Sequence, residues 1–273
     1  MRRVRALRSV VLLRISRRDS LGPVPFTLAH PAAALLFGRH LPLAALVAGT
    51  MAPDVVYYLP LSPPVSTHAT AALPGWDLLF GFTLLAIFRL TVNPLLALAP
   101  SGLRRRIPAF DSGFRSPAEW VTAAVAIVVG AGTHLAWDAF TQTDGMAVRH
   151  WAWLRVGVVE PHKLYNVIGY LSSIGGMVLV GVVAVRWYRR APVIRTVDPS
   201  PTWRSLALPT IVVFAIMGGV VAAGGGHDSG YDAVRACLIG AVRGGVVAVM
   251  IYAAAWHLVA APGRADRPIQ QRR

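Results

Sequence analysis

Apolar runs alternate with short polar segments along nearly the whole chain. Five runs are long enough for a helix to cross a hydrocarbon core, which takes about 20 residues: 75–98, 117–140, 164–188, 203–223 and 234–260. Gly and Ala recur in all of them, as close helix packing in lipid requires. Local signals sharpen their ends. Ser116, Pro117 and Glu119 form a capping box that opens the second run. Ser200 and Pro201 mark the start of the fourth, and Asn93-Pro94 predicts a kink or local break near the end of the first.

The stretch before these runs is ambiguous. Residues 31–38 and 43–51 are short apolar segments separated by Gly38-Arg39-His40-Leu41-Pro42. As one helix, 31–53 would be long enough to cross, at about 1.5 Å per residue. Gly38 and Pro42 would break it, and Arg39 and His40 would lie mid-bilayer. As a re-entrant hairpin of two half-helices, it would return His30 and Asp54 to the same side, with its irregular backbone covered by protein. The hairpin is the favoured expectation.

Composition fixes the class. The chain is 55% hydrophobic and 14% charged, with a mean hydropathy of +0.54, whereas a soluble domain carries roughly 25% charge. The pattern therefore predicts an all-α polytopic integral membrane bundle of about five spanning helices plus an N-terminal helical hairpin. The net charge of +15 invites a nucleic-acid reading, but the arginines lie between or beyond the apolar runs. That layout follows the positive-inside rule and builds no groove for phosphates, so the lipid bilayer is the expected partner and nucleic acid is not. Arg104–Arg106 and Arg115, then Arg186–Arg204, then Arg264–Arg273 fall on one side of the five-span topology, which is therefore expected to be cytoplasmic, in a bacterial inner membrane. Loops 54–74, 141–163 and 224–233 fall on the other side, where Trp151 and Trp153 suit an interfacial belt. Lys163 is the single lysine, a bias that fits a GC-rich coding sequence, and the lone Cys237 excludes an internal disulfide. Residues 1–23 are basic and lack the apolar core of a signal peptide. They suit a cytosolic or surface-lying amphipathic helix, or lie upstream of a start at Val24.

The costly residues are the informative ones. His134 and Asp138 stand four apart near the outer end of the second run, stacked on one helix face. Charged or titratable groups at such depth call for a use. Asp54, His68, Asp77, Asp144, His150, Glu160, His162, His227, Asp228 and Asp232 fall on the same side, and His30 joins them if the hairpin forms. Mixed His and Asp donors suit zinc, or manganese and iron where carboxylates dominate. A bound divalent ion would supply hydroxide to a phosphoryl or acyl centre. Bland readings stand beside these: His134/Asp138 as a packing pair, Asp54 and His30 as helix caps, His68 as a solvated loop residue. His150, His162, His227 and Asp228 suit ordinary interfacial roles. Arg243, about two turns into the fifth run, either snorkels outward or binds an anionic group of a substrate.

The segments P-F-T-L-A-H-P-A-A (25–33), G-T-M-A-P-D (49–54), S-T-H (66–68), W-D-L-L-F-G (76–81) and T-H-L-A-W-D-A-F-T (133–141) resemble a family of bacterial multi-pass membrane proteins catalogued as a domain of unknown function. Relatives typically begin just before the P-F-T, which supports the Val24 start. More distantly, the order H…PD…TH…HxxxD resembles inner-membrane proteins classed as metal-dependent hydrolases, similar to zinc-dependent phospholipase C. That resemblance implies a metal held by His68, His134 and Asp138, with Asp54 and His30 completing the shell or acting as general base. It also implies a lipid phosphoester substrate at the outer leaflet. Two positions depart from the pattern: Gln142 stands where a histidine is expected, and Gly169-Tyr170-Leu171-Ser172 replaces a Q-H-G-S-type stretch. Both point to a reduced, single-metal site or a silent relative.

The expected organisation is a basic extension (1–24), a membrane core with the metal site (25–190), two further membrane helices (191–261) and a basic tail (262–273). The leading expectation is a metal-dependent hydrolase with zinc as its ion; its rival is a non-catalytic membrane protein with a structural His/Asp cluster or a permeation path. No repeat of broken helices relates the two halves, which weakens a transporter reading.

Overall fold

The computed structural model describes residues 27–59, 61–108, 110, 114, 116–194 and 204–260. The expectations for residues 1–24, for Ser200 and Pro201 and for the 262–273 tail lie outside the described residues.

The first elements form the hairpin. A 3-10 turn, Thr27–Ala29, leads into α1 (Pro31–Ala34), and the chain turns at residues 35–42 into α2 (Leu43–Met51). Gly38, Arg39 and His40 are exposed at the tip, so neither the charge nor the break is buried. A 3-10 turn at Ala52–Asp54 and the short α3 (Val55–Tyr58) follow. His30 and Asp54, 24 positions apart in the sequence, come back to the same place: with His134 they offer donor atoms within 4.8 Å of one another.

The chain then enters the bundle through a 3-10 turn, Thr70–Ala72, and a single π-helical turn, Leu73–Asp77. Next come α4 (Leu78–Leu98), a short α5 (Ser101–Arg104) and α6 (Pro117–Thr141). α7 (Met146–His150), a 3-10 turn and a small antiparallel pair, β1 (Gly157–Val159) with β2 (His162–Lys163), fill the connection to α8 (Leu164–Arg190). The pair is an addition to an otherwise helical expectation. α9 (Arg204–Ala223) and α10 (Gly230–Ala260) complete the order. Among the described residues, five helices are long and apolar enough to cross a membrane, and the protein is an all-α polytopic membrane bundle.

The caps follow from sequence. Ser116 accepts the Glu119 N–H at 3.3 Å at the start of α6. Asn166 accepts the Lys163 N–H at 3.0 Å at the start of α8, and Ser229 with Asp232 closes a reciprocal pair at α10. α4 runs continuously through Pro94. Proline has no N–H to offer the Leu90 carbonyl one turn earlier, and His257 of α10 supplies the missing donor from Nε2 at 2.8 Å. The Tyr252 hydroxyl donates to the Pro94 carbonyl at 3.0 Å, so two bonds fasten α10 to α4 where the proline frees backbone.

Small residues set the closest approaches. A Cβ on Gly49 of α2 would run into the Ile127 backbone of α6, and one on Gly130 would run into the Leu46 carbonyl and the Thr50 amide. Gly81 of α4 makes room for the Ile127 side chain, which is fully buried. Gly218, Gly240 and Gly244 do the same between α9 and α10, the most extensive helix pairing among the described residues. In lipid, where apolar burial between helices contributes little, such contact is a main source of association.

The two ends of the bundle differ. The end of α4 and the end of α8 are tied together by the Ile194 N–H on the Arg105 carbonyl (2.9 Å) and by Arg106 over the Tyr188 ring (4.7 Å). Asp77, His134 and Asp138 lie at the other end, where α4 and α8 begin and α6 finishes.

Gly130→Ala is expected to destabilise the protein by on the order of 1–3 kcal/mol through overpacking, whereas Gly132→Ala, on the same helix with nothing within 4 Å of its added Cβ, is expected to be neutral or slightly stabilising. Thermal unfolding of both variants in detergent reads the difference; equal midpoints would show that the α2–α6 approach does not hold the fold.

Candidate functional site

The hairpin, the loop after α3 and the C-terminal end of α6 each deliver donors to one buried cluster. Pro53 has no N–H to return to the last turn of α2, whose terminal carbonyls therefore need other donors. His134 provides one: its Nδ1–H donates to the Thr50 carbonyl at 2.8 Å. Gly49 and Gly130 make that bond possible by letting the two backbones touch one turn away. With Nδ1 so engaged, the Nε2 lone pair is left to face the cluster, the arrangement in which a backbone carbonyl fixes the tautomer of a ligating imidazole.

The carboxylates lie opposite. His134 Nε2 is 3.2 Å from Asp138 Oδ2 and 3.5 Å from Asp54 Oδ1. His68 Nε2 is 3.3 Å from Asp54 Oδ1 and 3.5 Å from Asp138 Oδ2. Thr67 anchors that histidine's loop by donating its hydroxyl to the Pro53 carbonyl at 2.7 Å. His30 Nε2 stands 3.7 Å from Asp138 Oδ1, and its ring stacks on His134 with centroids 3.9 Å apart. Trp137 closes the far side of His30, edge-on at 5.2 Å, and is itself held by Nε1–H donation to Ser172 Oγ at 3.1 Å.

These four closest distances carry chemical information. Neighbouring ligand atoms around one tetrahedral ion with bonds of roughly 2.0–2.1 Å stand about 3.3–3.4 Å apart, and the Nε2 atoms of His68 and His134 each lie 3.2–3.5 Å from the nearest oxygens of Asp54 and Asp138. The two histidines and Asp138 form one group that could hold a metal ion, and His30, Asp54 and His134 form another. The cluster is deeply buried: His134 is 0% exposed, Asp54 1% and Asp138 6%, and carboxylates at such depth are stable only when paired or hydrogen-bonded. His30, outside the five spanning helices, is pushed down to about 4 by burial and then by neighbouring His134, so it is neutral at physiological pH and one of its two ring nitrogens offers a lone pair.

Two simpler roles do not describe the geometry. His30 and Asp54 occupy positions that could cap α1 and α3, but neither side chain makes a cap hydrogen bond. His68 is not simply solvated, since its imidazole lies between two carboxylates and its side chain is 23% exposed. It marks the open edge of the cluster, with Tyr57 tilted against it at 5.7 Å.

The remaining candidates lie elsewhere. Arg243 is exposed and donates from Nε to the Tyr58 carbonyl (2.9 Å) and from Nη2 to the Tyr57 carbonyl (3.3 Å), clasping the end of α3 rather than pointing donors at the carboxylates. His227 engages the Ala222 carbonyl at the end of α9, Asp232 caps α10, and His162 stacks edge-on with Tyr170. Gln142 ends α6 as its C-cap, and the 169–172 stretch contributes Ser172 to Trp137 rather than a ligand. Sequence reasoning missed Trp137, Thr67 and the Thr50 carbonyl, which position the histidines of the cluster without adding donors to it. Their only trace in the chain is adjacency to the polar motifs: Thr50 within G-T-M-A-P-D, Thr67 beside His68, Trp137 beside Asp138.

No curated protein and no solved structure matches the chain. One family model does, that of the Domain of unknown function (DUF4184), over residues 24–254. The match extends past residue 190 through α9 and into α10, so the last two helices are part of the same unit of relationship. The chain belongs to the DUF4184 family.

Proposed function

We propose that the protein is a metal-dependent hydrolase of the bacterial inner membrane that acts on a lipid phosphoester at the extracytoplasmic face. The observation that carries this reading is the set of ligand-atom separations, 3.2–3.5 Å between His68 or His134 and Asp54 or Asp138. Two imidazoles set 3.2–3.5 Å from two carboxylates make a mixed nitrogen and oxygen donor set, which suits zinc over the larger, oxygen-preferring ions. Bound there, a divalent cation would polarise a phosphoryl oxygen and acidify water. His68, His134, Asp138 and Asp54 would hold it, and the Thr50 and Thr67 contacts would keep His134 and His68 aimed. Neutral His30 or an oxygen of Asp54 would take the proton from the attacking water as the phosphorus–oxygen ester bond breaks. The exposed edge at His68 gives a headgroup its approach, and Arg243, tethered four residues after Asp54, would meet its phosphate. The arginine-rich opposite end of the bundle supports the extracytoplasmic placement, since short basic loops stay in the cytoplasm.

One observation favours a second reading, a structural metal or polar knot without turnover. The cluster joins the hairpin, the loop after α3 and α6, so an ion there would cross-link segments distant in sequence whether or not it did chemistry.

Metal analysis of the full-length protein purified in detergent, beside His134→Ala, tests the site. The native chain is expected to retain about one divalent ion, tetrahedrally ligated, and the variant to lose it; equal content in both ends the hydrolase reading. Vesicles of phosphatidylethanolamine and phosphatidylglycerol separate the two readings. Chelator-sensitive release of phosphorylated headgroup or diacylglycerol is expected from native protein and not from His134→Ala, and metal binding with no release would leave the structural role.

A further inference from the structure

The last turns of α8, at the end of the bundle away from the His/Asp cluster, carry an open cavity of about 440 Å³ lined by Val183, Arg186, Trp187, Arg190 and Ala191. Val183, Arg186, Trp187 and Arg190 stand at i, i+3, i+4 and i+7, so they form one stripe of the helix. Leu179 continues that stripe one turn earlier, and both Leu179 and Val183 are exposed on the outside of the bundle. The stripe is thus apolar along the spanning part of α8 and cationic over its last two turns. Other arginines at this end are engaged within the protein. Arg104 is buried, and Arg106 donates to the Gly102 carbonyl at 2.8 Å while lying over the Tyr188 ring. Arg186 and Arg190 differ: both are exposed, and neither makes an ion pair or hydrogen bond with another described residue.

Two guanidiniums above an apolar, outward-facing stripe match an amphiphile with an anionic head. Arginine presents planar, paired donors that suit phosphate oxygens, and basic pockets beside spanning helices at the membrane surface select anionic headgroups. Trp187, also exposed, supplies the amphipathic ring that rests at headgroup level. The dimensions agree, since α8 rises roughly 10 Å from Val183 to Arg190 at about 1.5 Å per residue. A phosphate held by the arginines would therefore leave the acyl chains to begin beside Val183 and Leu179. A soluble anion would use the arginines and ignore the apolar stripe beneath them. We propose that this cavity binds an anionic phospholipid such as phosphatidylglycerol, with its phosphodiester between Arg186 and Arg190, its glycerol against Trp187 and an acyl chain along Val183 and Leu179. The site stands apart from the cluster and does not depend on a metal there.

Full-length protein in neutral detergent with chelator, so that no metal-dependent turnover consumes the lipid, provides the test. It is titrated with dioleoylphosphatidylglycerol, and separately with dioleoylphosphatidylcholine and with inorganic phosphate. The readouts are the thermal unfolding midpoint and the lipid retained in native mass spectra. Phosphatidylglycerol is expected to raise the midpoint of the native chain and to be retained, and the other two are expected to do neither at the same concentration. Arg186→Gln and Arg190→Gln are each expected to weaken that binding roughly fivefold, and the double variant roughly 20–30-fold. Arg189→Gln removes the same charge one position away from a side chain that does not line the cavity, and it is expected to bind as native does. All three arginines are exposed, so the lipid-free midpoints of the variants are expected to match the native one. An equal loss in Arg189→Gln would mean diffuse attraction to a basic end and overturns the proposal. So does an equal response to phosphatidylcholine, a matching response to inorganic phosphate, or a native chain that does not respond to phosphatidylglycerol.

Discussion

The bond from His134 Nδ1–H to the Thr50 carbonyl is the contact on which the site depends. It exists because α2 and α6 meet backbone to backbone at Gly49 and Gly130, where neither helix tolerates a Cβ. In the low dielectric between packed helices, an imidazole must find partners for both nitrogens or forfeit several kcal/mol. Thr50 answers one of them. The other is left facing Asp54 and Asp138, at 3.5 and 3.2 Å. A packing constraint in the hairpin thus becomes an electrostatic constraint at the cluster, and an ion would relieve it.

The hairpin does the same work from the other direction. Had residues 31–53 crossed as one helix, His30 and Asp54 would have been separated by the thickness of the bilayer. The turn at 35–42 keeps Arg39 exposed and brings both residues to one spot. A second irregularity, the π turn before α4, packs against α6 and buries Asp77. The regular helices form a scaffold, and the irregular backbone sits where polar side chains must converge, as expected where protein rather than lipid surrounds it.

Much of this was legible in the chain. Apolar runs and their caps placed five long helices to within a few residues, because lipid imposes length and composition together. The polar residues inside those runs identified His134 and Asp138, and Gly38 with Pro42 argued for the turn that returns His30. What periodicity could not show was side-chain direction after irregular backbone. Asp77 stood out only as one acidic residue among several, since no pattern announces a π turn. The β1–β2 pair fell in a connection with no alternation long enough to signal strands. The tether of Arg243 was equally hidden: its guanidinium donates to the carbonyls of Tyr57 and Tyr58. A main-chain acceptor on a distant segment leaves no mark in sequence.

The central claim is that His68, His134, Asp54 and Asp138 are spaced to hold one ion. X-ray absorption at the zinc edge on the purified full-length protein tests it most directly. The account requires a four-coordinate first shell of nitrogen and oxygen at roughly 2.0–2.1 Å, with the outer-shell scattering that imidazole rings produce. A zinc environment of six oxygens without imidazole scattering, or protein that takes up no ion when zinc is supplied, would contradict it.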